Sequence, residues 1–203
     1  MRTRNEKLRK AVTFAMLAAV VALLQVFGGL IPMPGGIAPT LALIPIVLGG
    51  VLLGVGYGAA LGGIFGLITV FQAPLGALTA VLFAEKPVLF VLIAMVKAIA
   101  AGAVPALVFR TFHREHRFAG VVVASLAAPI VNTVLFVLGS FTILDAFDVY
   151  IKANDLGISP VKLLFGVIIS TNFLAEMIIS AVVSPAVYQV TKVVSERKWD
   201  APQ

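Results

Sequence analysis

The chain has 203 residues, of which 61% are hydrophobic and only 12% charged. Soluble domains run at about 45–50% apolar and about 25% charged, so this chain has too few polar groups to cover a water-facing surface, which excludes an ordinary soluble enzyme, a nucleic-acid reader and a disordered tail. The formal net charge of +6 is therefore read by position, because Lys and Arg set orientation in a membrane.

A helix needs about 20 apolar residues to cross the hydrocarbon core. The run 11–31 follows a basic segment of Arg2, Arg4, Lys7, Arg9 and Lys10. It is too long for a signal h-region and no small-residue cleavage site follows, so it predicts a retained first membrane helix. Pro32, Pro34, Gly35, Gly36 and Pro39 break that helix. The stretch 40–74 is long enough for two short crossings, with a break near Gly54–Gly56, and 75–87 is mixed. Further spans are predicted over 88–109, 120–144 and 161–190. Polar loops separate them at 110–117 and 145–160, and a polar tail covers 192–203. The expectation is one all-α integral membrane domain over 1–203 with six transmembrane helices. A β-barrel is excluded because barrel strands alternate, whereas these apolar runs are unbroken.

The charges test this count. With six spans both termini and the 110–117 loop share one side. That side holds the five N-terminal basic residues, Arg110, Arg114 and Arg117, and then Lys192, Arg197 and Lys198. The other side holds Lys86, Lys152 and Lys162 beside Glu85, Asp145, Asp148 and Asp155. The positive-inside rule then makes the N-terminal segment 1–10 and the tail 192–203 cytoplasmic.

Small residues recur at a spacing of four. Gly50, Gly54, Gly58, Gly62 and Gly66 are read as one bare helical face that another helix approaches closely. Gly56-x-Gly58 near Gly62 only weakly echoes a nucleotide-binding glycine pattern, because a membrane span offers no strand–turn–helix context. Ala11, Ala15 and Ala19 repeat the spacing on the first helix, with Ala18 and Ala22 beside them. That face serves either internal helix packing or docking of a separate membrane subunit.

Ionisable groups inside a span are costly, so each is a functional candidate. Lys97 lies in the fourth span, Asn132 in the fifth, and Asn172 and Glu176 in the sixth. Counted from the outer helix ends at about 1.5 Å per residue, Lys97, Asn132 and Asn172 lie about 15–18 Å deep. One ammonium and two amides thus share a layer near mid-membrane. Either they form a satisfied network, with Lys97 paired to Glu176, or they line a small-molecule pocket open to the outside. In the pocket, Lys97 faces a carboxylate, the amides read hydroxyl or amide groups, and Glu176 orients Lys97 from one turn deeper. Gln25 and Gln72 are further candidates near the outer ends of their helices.

His113 and His116 sit in the basic loop without further ligands nearby, so they read as a solvated face and no metal site is expected. Phe141, Phe147 and Tyr150 belong to an interfacial aromatic belt or close over a ligand. Hydrolytic chemistry has no support: no intramembrane histidine, HExxH motif or aspartate pair is present. The absence of cysteine removes disulfides and thiolate chemistry.

These features resemble the substrate-binding S components of energy-coupling factor (ECF) vitamin transporters. The resemblance covers nearly the whole chain. It rests on the size, the six spans, the Ala11-x-x-x-Ala15-x-x-x-Ala19 face and the loop Ile31-Pro-Met-Pro-Gly-Gly-Ile37. It also rests on Leu43-Ile-Pro-Ile-Val47 with its glycine-rich continuation and on Pro129-Ile-Val-Asn-Thr133. It implies a vitamin bound in the outer half, among helices four to six and the outer loops. It further implies that the helix-one face contacts a transmembrane T component and that two cytoplasmic ATPases supply the energy. The chain itself then hydrolyses nothing, holds no cofactor and lies in a prokaryotic plasma membrane. The segment Val96-Lys-Ala-Ile-Ala-Ala-Gly102 is similar to members carrying Arg at the lysine position, some of which take up pantothenate. Pantothenate has one carboxylate, two hydroxyls and an amide, which suits one ammonium and two amides. Folate and cobalamin remain alternatives. Riboflavin is disfavoured, because its members carry a Lys-Asn pair in span three, where this chain has neither Lys nor Asn. A proton-driven secondary carrier working through Glu176, or a non-transporting scaffold, are the rivals from other classes. The first lacks two inverted halves, and the second leaves the mid-membrane polar layer unexplained.

Overall fold

The computed structural model describes residues 2–28 and 40–196. All secondary structure in them is helical. The proline-rich loop 31–37 and the tail beyond Glu196 lie outside the described residues. Five apolar helices are long enough to cross a membrane, and a shorter apolar helix of eleven residues joins them.

Helix α1 (Arg2–Gly28) is 27 residues long. Helices α2 (Leu43–Leu53) and α3 (Val55–Gln72) form a tight hairpin about Gly54. Gly54 has φ +108, which a residue with a Cβ rarely adopts. The break expected near Gly54–Gly56 is therefore a backbone event that only glycine takes without strain. It also corrects the single glycine face, because Gly50 lies on α2 and Gly58, Gly62 and Gly66 on α3.

The glycines serve close approach to α5 (Pro87–Arg110). A Cβ on Gly58 would overlap the Gly102 carbonyl oxygen, and one on Gly62 would overlap that of Ala98. Gly66 faces Ala98 and Ala94, and Gly50 faces Ala106 and Gly102. Helix α5 thus presents its own four-residue ladder of Ala94, Ala98, Gly102 and Ala106. Between apolar helices in lipid, such backbone approach supplies packing that water exclusion cannot. Gly58→Val is expected to lower the thermal midpoint by an amount equivalent to about 1–3 kcal/mol or more. Gly63→Ala should be nearly silent, because its Cβ meets only Ile99 at 3.9 Å. Equal unfolding temperatures for both variants in detergent would refute the α3–α5 contact.

Helix α5 packs between α3 and α6 (Arg117–Ser140), and α6 packs on α9 (Leu174–Glu196). The last crossing is continuous: α8 (Pro160–Lys162) leads into a π-helical segment (Leu163–Phe173) and then α9.

Two further segments form helices: α4 (Ala77–Glu85) in the stretch read as mixed, and α7 (Leu144–Ala153), which overlaps the predicted 145–160 polar loop. They pack together on one end of the bundle through Leu78, Leu82, Ala146, Phe147 and Ile151, against Phe90, Leu163 and Leu164. The loop reading failed because α7 spaces its charged residues on one face and its apolar residues on the other. Phe147 is fully buried in this cluster, which removes it from an aromatic belt, while Phe141 is exposed and Tyr150 packs against the cluster. At this end Lys86 pairs with Asp145 at 2.7 Å and Lys152 with Asp148. The hydrogen bond and charge of Asp145 hold the Lys86 ammonium above its ordinary pKa. The hydrogen bond from Lys86 in turn holds the Asp145 carboxyl below its own. The pair is complete at neutral pH and is lost as pH falls through that depressed carboxyl range.

At the opposite end the start of α1, the end of α5, the start of α6 and the end of α9 converge on one cavity through Arg9, Lys10, Phe109, Arg117 and Lys192. Described residues from each of the three basic segments, Arg9 and Lys10, Arg117, and Lys192, therefore meet at one end of the bundle. The lysines Lys86 and Lys152 at the other end are neutralised by neighbouring aspartates.

Candidate functional site

Lys97 lies midway along α5, on the side that meets α6 and α3. Its Nζ donates to Asn132 Oδ1 at 3.3 Å. It also stands 5.5 Å from the centroid of the Phe136 ring and 5.7 Å from that of Phe65. The two ring faces stabilise a cation that has left water. An ammonium has three donors, so the bond to Asn132 leaves capacity for an incoming acceptor.

Asn132 is buried on α6, three residues beyond Pro129. Asn172 lies at the end of the π-helical segment and Glu176 in the first turn of α9. Glu176 is 2% exposed. Its Oε1 accepts from the Thr40 backbone N–H at 2.8 Å and from Asn172 Nδ2 at 3.3 Å. Among the described residues its Oε2 and the Asn172 Oδ1 are buried without a hydrogen-bond partner. Orphaned buried acceptors are costly and uncommon, so this part of the site is suited to accept from donors on a bound molecule.

A small cavity of about 40 Å³ joins Lys97, Asn132 and Asn172 with Thr40, Thr133, Phe136, Ile168, Ile169 and Phe173. Three of the named polar residues thus line one space. Glu176 stands behind it, bonded to two lining residues, Thr40 and Asn172. Among the described residues Lys97 and Glu176 form no ion pair; Lys97 is tied to Asn132 instead. Thr133 entered the sequence reading only as part of the Pro129–Thr133 motif, and Phe136 and Phe173 were not singled out. The Asn-Thr pair and the aromatic residue one turn after Asn132 were the available signals. Thr40 carried none, because it contributes a backbone N–H from a residue 136 positions away from Glu176.

Gln72 does not line this cavity; it closes α3, with its Oε1 buried and without a hydrogen-bond partner among the described residues. Gln25 donates to Thr69 Oγ1 at 3.4 Å, which ties α1 to α3. His113 and His116 are exposed at the α5–α6 turn.

Helix α1 turns Phe14, Leu17, Ala18 and Val21 inward against α2 and α3. Ala11, Ala15 and Ala19 face outward and are exposed, beside exposed Leu8, Val12, Met16 and Val20. Within the described chain this face packs on no other helix, so internal packing does not account for it.

Residues 9–188 match the family model described as ECF transporter, substrate-specific component. The chain belongs to this family. It is also similar to the pantothenic acid transporter PanT of Lactococcus lactis subsp. cremoris, 27% identical over 198 residues, covering 91% of this chain and 94% of that protein. An S component is a substrate-specific transport subunit, and the long apolar helices make this one a multi-pass membrane protein.

Proposed function

We propose that this S component captures an anionic vitamin, pantothenate in the first place, and delivers it to a transmembrane T component energised by two cytoplasmic ATPases. The observation that carries this reading is the half-buried Lys97 ammonium, held by Asn132 at mid-depth beside buried acceptors on Asn172 and Glu176. A carboxylate on Lys97 and hydroxyl or amide donors toward Asn172 and Glu176 describe the functional groups of pantothenate. The name of the Lactococcus relative supports the same ligand. The basic end, with both chain ends, faces the cytoplasm of a prokaryotic cell by the positive-inside rule, and the α4–α7 end faces out. Entry is therefore from the outer half, as the family's role requires.

The described cavity of about 40 Å³ holds a water or two. Ligand pockets start at about 300 Å³, so binding requires the side chains between α6 and the π-helical segment to separate. Native mass spectrometry of the purified protein should show a co-purified adduct with the mass of pantothenate. In proteoliposomes, the chain alone should bind this ligand and not accumulate it. Accumulation driven by a proton gradient without ATPases would replace this reading with a self-contained carrier working through Glu176.

A further inference from the structure

A second cavity, larger than the one around Lys97, lies apart from it. It measures about 390 Å³ and lies at the basic end, between α1, α2, α5, α6 and α9. Arg9 and Lys10 of α1, Arg117 of α6 and Lys192 of α9 line it, and none of its described lining residues is acidic. Arg9 and Lys10 form no ion pair among the described residues. Its hydroxyl groups come from Thr13, Thr191 and Tyr188, whose ring is fixed edge-on against Phe118 at 5.2 Å. Its inner wall is apolar, built from Val51, Leu53 and Phe109.

The depth of the cavity is set by sequence. Arg9 and Lys10 directly precede the apolar run of α1, Arg117 opens α6, and Lys192 lies in the last turns of α9. All four therefore stand where the helices leave the hydrocarbon, at the level of lipid headgroups. Positive charge alone would be an orientation signal. Here basic groups from three helices instead surround one volume with an apolar floor. A soluble phosphate would gain nothing from that floor, whereas a phospholipid places its phosphate among the basic groups and the start of its acyl chains on Val51, Leu53 and Phe109. Basic pockets between membrane helices on the cytoplasmic side suit anionic headgroups for this reason.

We propose that this cavity is a binding site for the phosphate headgroup of an anionic phospholipid. The site is separate from the Lys97 cluster and does not depend on which vitamin is carried. In delipidated detergent samples of the full chain, native mass spectrometry should show phosphatidylglycerol retained well above phosphatidylcholine at equal concentration. The double variant Arg9→Gln/Lys10→Gln should bind phosphatidylglycerol about 30-fold more weakly, as expected for two basic groups near a headgroup. Lys7→Gln/Arg110→Gln removes the same charge outside the cavity and should leave binding nearly unchanged. Matching thermal midpoints for the two double variants establish that both fold. Equal retention of the two lipids, or equal weakening by both double variants, would overturn the proposal. So would full displacement of phosphatidylglycerol by an equal concentration of inorganic phosphate, which would make the cavity a soluble-anion site.

Discussion

Lys97→Met is expected to weaken an anionic ligand by about 2–5 kcal/mol, the usual cost of removing one member of a buried charge pair. Methionine keeps the length and apolar stem of lysine, so contact with Phe65 and Phe136 persists while the charge is lost. In the free protein the substitution also leaves Asn132 Oδ1 without its donor, at a cost of about 1–3 kcal/mol. Calorimetric titration with pantothenate measures the first effect, and thermal unfolding without ligand measures the second. An unchanged affinity would remove Lys97 from the pocket. A lowered melting point with unchanged affinity would make the Lys97–Asn132 pair a purely structural network between α5 and α6.

Replacing Ala15 and Ala19 together with phenylalanine should abolish uptake and spare binding. Both side chains point away from the bundle, so added volume meets lipid and not the core. Surface substitutions of this kind change stability by roughly 0.5 kcal/mol or less, and ligand affinity should stay within about twofold. A partner helix that approaches over alanines cannot do so over two rings, since close backbone approach is what small residues allow. The measurement is paired: ligand binding by the purified chain, and uptake by cells that contain the complete transporter. Parallel loss of both would mean that the face supports the fold. Undiminished uptake would place the T component on another surface. The outward direction of Ala11, Ala15 and Ala19, with Ala18 turned inward, is what separates these outcomes.

Membrane residence was legible in composition, because too few polar residues exist to face water. The helix count was nearly legible too, since 20-residue apolar runs end at Pro, Gly or charge. Helix α2 is shorter than a full crossing, and it was separable from α3 only by the glycines around Gly54. The polar layer was legible as well: Lys97, Asn132, Asn172 and Glu176 stand out as polar groups in apolar runs. Their partners were not. Hydrophobic periodicity is weak in a chain surrounded by lipid, where an apolar residue is acceptable on either face of a helix. Nothing in the sequence therefore indicated that Ala18 turns inward and Ala19 outward, or that Phe147 is core and Phe141 is not.

The sequence by itself determined that this is a helical membrane protein with its basic segments grouped at one end. It also determined which few side chains carry charge or amides at mid-depth. Those properties depend on residue type and on distance along one helix, and a rise per residue suffices to compute them. Tertiary structure alone decided that the glycines of α2 and α3 meet Ala94, Ala98, Gly102 and Ala106. It decided likewise that Lys97 bonds Asn132 and not Glu176, that Glu176 holds the backbone of Thr40, and that four basic residues from three helices enclose one cavity. These are contacts between segments far apart in the chain. Rotation of each helix about its axis sets them, and in lipid close packing fixes that rotation, not a hydrophobic stripe.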